Sequence, residues 1–337
     1  MSEELSHKTT IANLLDEKIF QQLKSDLHNS LGISYIDFKK TLKPNYAKVW
    51  FDIISGWVGL LVLMITALML LQQEGIFIKI IIALIAAKLA GYIIAYLVNF
   101  FHEAAHYNIT ANKETNDRLA NLFIGILIGQ GIKNYRIVHW QHHAALGTVD
   151  DTERSYFESL DLRFFISSLT GISALQFFFQ RNKFVTTNKK VPEGVLIREK
   201  FSWFFFSLIF HIGLLTAMFL FKQYWLMATW IMAVGCFYPF FNRLRQLIEH
   251  RSDNADKKIN YAKTAHGKLT RIFGNSILDK TFGSAGFNKH MLHHLEPSIS
   301  YTRLDELEAF LKETSLGESI KKQRSSYFSI FKKLLNK

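Results

Sequence analysis

Apolar residues in this chain are gathered into long runs instead of being scattered at the spacing of a soluble core. Four runs, about 49–71, 76–100, 201–221 and 224–241, are long enough to cross a bilayer as helices, which takes about 20 residues each. Only Gln72 to Gly75 separates the first pair, and only Lys222 and Gln223 the second, so two helical hairpins are expected. Two shorter runs, about 119–132 and 164–179, need a separate reading, and the first carries Gly125, Gly129 and Gly131. If one of them crossed, polar motifs on either side of it would be parted by the membrane. If both crossed, the motif between them would be stranded outside. Interfacial or re-entrant helices are therefore expected.

The ends follow a different pattern. Ile11, Leu14, Leu15, Ile19, Leu23 and Leu27 recur at helical spacing and predict an amphipathic helix on a surface, with Pro44 marking the start of the membrane part. The first long run begins too late for the apolar core of a cleavable leader, so none is expected. Near the C terminus Ile320, Phe328, Ile330, Phe331, Leu334 and Leu335 are interleaved with Lys321, Lys322, Arg324, Lys332, Lys333 and Lys337. This predicts a basic amphipathic segment on an anionic membrane surface, a solvated tail being the alternative. The expected organisation is a cytosolic segment 1–48, a membrane domain 49–310 and a basic tail 311–337. The fold class is an all-α integral membrane protein: four transmembrane helices in two hairpins, with a cytosolic helical cap.

Charge orients this scheme. The formal net charge is +12, and 37 of the 40 Lys and Arg residues lie in 1–48, 101–200 and 243–337. Two hairpins place these segments on one side, and the positive-inside rule makes that side the cytosol. The expectation is a multi-pass protein of a bacterial cytoplasmic membrane, with both termini inside. This accounts for the basic balance without nucleic acid, and no zinc-finger or RNP-type motif is present. Lys79 and Lys88 fall within the second span. Lys88, near its middle, is expected to face the interior or to snorkel, in a structural role. The one cysteine, Cys236, lies in an apolar run, so neither a disulfide framework nor a cysteine-ligated iron–sulfur cluster is available.

The chemistry lies in the histidines. Nine of the 13 fall in tight spacings: His102 and His106 in HEAAH; His139, His142 and His143 in HWQHH; His290, His293 and His294 in HMLHH; and His250 closing QLIEH. Spacings of three and four share a helical face. A single such pair is common, but three clusters in one chain point to metal. Imidazole suits iron, copper, nickel and zinc, and nine ligands suit two metals of roughly four to six ligands each. Neutral ligands leave the cations uncompensated, so Glu103, Asp150, Asp151, Glu153 and Glu249 are candidate outer partners that fix histidine tautomers. For each, a surface charge or helix cap is the alternative. Four histidines remain: His7 and His28 are expected to be exposed, His211 packed within the third span, and His266 in a basic loop.

These boxes resemble those of the membrane fatty acid desaturases, in order and beside the right spans. RQLIEH resembles that family's extra histidine after the fourth span. HHAALGTVDDTE and HHLEPSISYTRL resemble the continuations after the second and third boxes. The resemblance runs from roughly Val49 to Leu307. It implies that His102, His106, His139, His142, His143, His250, His290, His293 and His294 bind two iron ions, with dioxygen as co-substrate. It also implies a water-holding role for Gln246, where some relatives carry Asn. The implied reaction is desaturation of a fatty acyl chain, and hydroxylation or ketolation with the same site is the alternative. No His-Pro-Gly-Gly haem motif is present, so electrons are expected from another protein such as a ferredoxin or a cytochrome.

Two further classes compete. HEAAH also fits HExxH, in which Glu103 would be the base of an intramembrane zinc protease. Such a site needs one zinc and three protein ligands, and leaves seven clustered histidines unused. A metal transporter would carry its ligands near mid-membrane at broken helices, whereas here they lie outside the spans.

Overall fold

The computed structural model describes residues 17–73, 75–172, 175–176 and 193–336, with side chains for all of these except 193–201. It is helical throughout its regular elements. Among the described residues, four helices are long and apolar enough to cross a membrane. In the numbering used below these are α3 (Tyr46–Leu70), α4 (Ile76–Ala105), α8 (Glu193–Leu220, apolar from Ser202) and α9 (Tyr224–His250). Their outward sides carry large apolar residues such as Leu61, Ile65, Ile81, Ile85, Ile209 and Ile212, all exposed, as a lipid-facing surface requires. Lys88 is on the exposed side of α4, so of the two expected orientations it adopts the outward one. His211 is packed as expected: it accepts from Trp230 Nε1 on α9 at 3.2 Å and meets the Leu127 carbonyl at 3.3 Å.

The inward side of α4 is made of small residues: Ala83, Ala86, Ala87, Ala90 and Gly91. Small residues let helix backbones approach closely in a membrane, where apolar burial alone does not drive helices together. The closest approach is at Gly91, where a Cβ would lie 2.4 Å from Phe237 Cβ and 2.8 Å from the Tyr238 nitrogen. At this crossing α9 widens into a π turn, Ala233–Phe237. A π turn shifts the phase of everything that follows it, which here includes His250.

Two of the spans run further than their apolar stretches. α4 continues to Ala105 and α9 to His250, past the expected ends near 100 and 241. At 1.5 Å per residue, the 30 residues of α4 cover about 45 Å, against a hydrocarbon core of about 30 Å. Its last turns are buried by other helices in place of lipid: Asn99 through Ala105 are all buried. This overrun carries His102 and His250 into a head built from the remaining elements. These are α1 (Glu17–Leu23), α2 (Tyr35–Thr41), α5 (Lys113–Ala120), α6 (Ile132–Ala145) and α7 (Leu162–Leu169), then α10 (Ile277–Phe282), α11 (His290–Leu295), α12 (Leu304–Lys312), α13 (Gly317–Lys322) and α14 (Tyr327–Leu335).

The two shorter apolar runs form no long helix among the described residues. The first continues α5 through a π turn to Ile128 and stops at Gly129, whose φ of +64° is left-handed. The second is α7, capped by Asp161, whose side chain accepts from the Phe164 nitrogen at 3.0 Å; part of the run lies outside the described residues.

Both terminal segments pack in part against the head. Ile11, Leu14 and Leu15 lie outside the described residues, which open on α1 at Glu17. Phe20 and Leu27 join a protein core with Leu292 and Leu295 of α11, so this segment covers a histidine box. The C-terminal segment is likewise drawn inward. Ile320 packs with Leu307 and Leu311, and Tyr327, Ile330 and Leu334 pack with Leu247, Ile248 and Phe273. Phe328 and Leu335 remain exposed, and part of the basic face pairs with acids: Arg324 with Glu308 at 2.7 Å, Lys333 with Asp253 at 3.2 Å. The apolar side of the tail is spent on the head because α9 and Phe273 offer it a dry surface.

Gly91→Ala forces a methyl group into backbone and is expected to cost about 1–3 kcal/mol. Gly59→Ala meets nothing within 4 Å and is expected to be neutral or slightly stabilising. Thermal melting of the detergent-solubilised variants measures both, and equal melting temperatures would contradict the close crossing.

Candidate metal centre

Four helices deliver the nine histidines. α4 brings His102 and, at its C-cap, His106; α6 brings His139, His142 and His143; α9 ends on His250; and α11 brings His290, His293 and His294. All nine are buried. Their ring nitrogens form two groups, each drawn together within 4.8 Å: His102, His106, His139, His143 and His293 in one, His142, His250, His290 and His294 in the other. Helical phase explains the partition. With 3.6 residues per turn, positions i and i+4 lie about 40° apart, while i+3 and i+4 lie about 100° apart. Each pair spaced by four stays in one group, and the member between, His142 in one box and His293 in the other, reaches across to the group its own pair does not join.

Within the first group, His139 Nε2 is 2.8 Å from His106 Nε2 and 3.0 Å from His143 Nε2, and His143 Nε2 is 3.1 Å from His293 Nε2. Within the second, His290 Nε2 is 2.9 Å from His250 Nε2 and 3.1 Å from His294 Nε2. An imidazole nitrogen has one proton or one in-plane lone pair. Hydrogen bonding therefore cannot satisfy a nitrogen that faces two others in this way. A shared cation can. Two nitrogens bound at right angles to one metal at about 2.1 Å are separated by about 3.0 Å, which the observed spacings match. His102 Nε2 and His142 Nε2 are buried with no hydrogen-bond partner among the described residues, as donors awaiting a cation would be. The donor set fits two metal ions.

Outer contacts orient several rings. Asp151 Oδ1 accepts from His142 Nδ1 at 2.8 Å, and the Leu269 carbonyl accepts from His250 Nδ1 at 2.9 Å, so in both rings Nε2 is left to face its group. Asp151 is held in turn by the Tyr156 hydroxyl and by the Gly147 and Glu153 nitrogens. Glu153 has Oε1 3.7 Å from His139 Nδ1 and Oε2 3.9 Å from His142 Nε2. The other sequence candidates lie elsewhere. Glu103 accepts from the Tyr301 nitrogen at 3.1 Å, pinning α4 to the segment after the third box. Glu249 pairs with Arg245 at 2.5 Å, and Asp150 is exposed. Gln246 Oε1 accepts from Ser155 Oγ at 2.6 Å. His266 belongs to neither group; its Nε2 accepts from the Ser252 nitrogen.

Burial, reinforced by neighbouring imidazoles, holds His106, His143, His290, His293 and His294 well below the ordinary histidine value of 6.5, so they are neutral at pH 7. His142 is the exception: burial lowers it, but Asp151 and Glu153 outweigh burial and push it up to about 9. Burial opposes the Glu153 carboxylate, yet His142 and His139 hold its carboxyl well below the usual range.

Three buried arginines were not singled out from sequence. Arg271 donates to the carbonyls of Ile248 and Arg251, both at 2.7 Å, and closes the end of α9 beside His250. Arg251 donates to the carbonyls of Tyr156 and Phe157. Arg245 lies 3.6 Å over the Phe287 ring. Only the Arg245–Glu249 spacing of four was a readable signal; the others act across long sequence separations.

Wild-type protein is expected to hold two metal ions per chain by elemental analysis. His250→Ala should retain one, and His211→Ala and His266→Ala both; two ions in His250→Ala would remove it from the site. The metal-free protein should also show an acid-side loss of stability. Its five depressed imidazoles take up protons on unfolding once pH falls below 6.5, each costing about 1.4 kcal/mol per pH unit until its folded value is reached. His142 has the opposite sign: its contribution is full below 6.5 and lost as pH rises through about 9. The melting temperature should therefore fall between about pH 7 and 5, and Asp151→Asn should flatten the alkaline limb; a flat acid limb would contradict the buried, neutral rings.

A search of curated proteins finds no match to this chain. Residues 78–323, well over half of the sequence, match the family model described as fatty acid desaturase. The matched stretch opens within α4, closes just after α13 and contains all nine clustered histidines. The protein belongs to the fatty acid desaturase family.

Proposed function

We propose that this oxidoreductase desaturates a fatty acyl chain, with the nine clustered histidines holding two iron ions. The observation that carries the reading is the pair of adjacent, buried imidazole groups at the ends of α4 and α9 in a chain of this family. The five-membered group would hold one ion and the four-membered group the other. Iron there, with dioxygen and electrons from a separate ferredoxin- or cytochrome-like donor, supplies the oxidation of an unactivated C–H bond. The chain's own residues fix the ring orientations through Asp151 and the Leu269 carbonyl, and exclude water by burying every ligand. The charge bias supports a cytosolic head, with α3–α4 and α8–α9 as two hairpins.

The geometry favours neither competing class. A zinc-protease base would turn its carboxylate to the metal, whereas that of Glu103 is engaged by the Tyr301 nitrogen. Transport ligands would sit along the apolar stretches, whereas these lie beyond them.

Expression in a host of known lipid composition is expected to yield acyl chains two hydrogens lighter, only in the presence of dioxygen, and His293→Ala should abolish them. Chains one oxygen heavier would assign hydroxylation or ketolation instead. No lipid change, or peptide cleavage without dioxygen, would overturn the proposal. Reporter fusions after Gly75 and Lys222 should read the outside and one at the C terminus the cytosol; a C terminus outside would reverse the topology.

A further inference from the structure

The two histidine groups are unequal, five imidazoles against four, and imidazole binds a metal as a neutral ligand. Two divalent cations in such a site bring buried positive charge that requires compensation. The nearby acids are mostly committed. Glu249 is neutralised by Arg245, Glu103 is engaged by the Tyr301 nitrogen, and Asp151 is occupied by His142 Nδ1, Tyr156 and Gly147. Glu153 differs. Its ion-pair partners among the described residues are both imidazoles, one from each group.

We infer that Glu153 is the fifth donor of the second group, its Oε2 binding the same ion as His142, His250, His290 and His294, while its Oε1 faces the back of His139 in the first. The inference rests on the two-metal reading above. His142 Nε2 is buried without a hydrogen-bond partner among the described residues, and Glu153 Oε2 lies 3.9 Å from it. Two donors bound at right angles to one ion at about 2.1 Å are about 3.0 Å apart, so Glu153 has to close by about 1 Å on His142 Nε2 and swing inward to join the four nitrogens that lie within 4.8 Å of one another. The backbone supports this placement. The Glu153 nitrogen donates at 2.8 Å to Asp151 Oδ1, the same oxygen that receives His142 Nδ1, so one loop grips both edges of the His142 ring. Ser155 is fastened to Gln246 and the carbonyls of Tyr156 and Phe157 to Arg251, which ties the loop to α9 beside His250.

The test is titration of the metal-free full chain with Co2+, followed by absorption and elemental analysis. Wild type should bind two ions. Glu153→Gln should keep the first and weaken the second by about 10-fold or more. In a His290→Ala/His294→Ala background, which removes half of the second group, Glu153→Gln should leave the remaining ion unaffected. Two ions at wild-type affinity in Glu153→Gln would overturn the inference, and so would a weakened remaining ion in that background, since Glu153 would then act only through His139. Should Glu153→Gln not fold, Glu153→Asp draws the carboxylate back by one methylene and should still lower second-ion affinity; no change would overturn the inference. Fewer than two ions in wild type would instead reject the two-metal reading itself.

Discussion

Nine imidazole nitrogens aimed at two points, in a space with almost no water, form an arrangement that a lone protein chain has every reason to relax. Lone pairs face lone pairs at about 3 Å, and unpartnered buried polar atoms cost of order 1–3 kcal/mol each. Much of the head can be understood as resistance to that relaxation. α4 and α9 are locked at the Gly91 crossing, which fixes where His102, His106 and His250 emerge. Arg271 closes the end of α9 on its last carbonyls. α11 is anchored one residue before its first ligand, where Lys289 pairs with Glu308 at 2.5 Å, and Glu308 also receives Lys312 and Arg324. α6 is anchored through Asp151, itself held by a tyrosine and two backbone amides. The pocket is rigid because each helix that offers a ligand is tied down near that ligand.

The existence of the spans and the identity of the clustered histidines were legible in the sequence because both are periodic, local signals. Helix ends were not. α4 and α9 stop being apolar near 100 and 241 yet stay helical to Ala105 and His250, since the environment that buries them changes from lipid to protein. The terminal segments show the same limit for a related reason. An apolar stripe flanked by lysines looks the same whether it meets lipid head groups or a protein surface, and for Tyr327, Ile330 and Leu334 the surface is Phe273 and α9. Among five candidate acids, only contacts across the fold separate Asp151, which meets a ligand ring, from Asp150, which faces solvent one residue away. Arg271 and the Leu269 carbonyl could not be read at all, since each acts about 20 residues from its partner.

Charge explains a further division of labour. Glu249 and Arg245 bury opposite charges side by side and add little net field, whereas among the described residues Asp151 and Glu153 have no guanidinium or ammonium paired with them and direct their field at His142. That ring is held above its ordinary value, and it belongs to the group with fewer imidazoles. The weaker donor set thus lies where the fold has concentrated negative charge.

The exchange of His142 and His293 between groups works as a dovetail. α6 and α11 each lend imidazoles to both groups, so neither helix can turn to suit one group without disturbing the other. Ordering of the two helices by a first ion leaves less disorder for a second to remove, and occupancy becomes cooperative without any contact between the ions. Chains holding a single ion would then be scarce at intermediate metal supply, and the population would divide into empty and fully loaded molecules. Any chemistry that needs both groups filled at once gains from that arrangement.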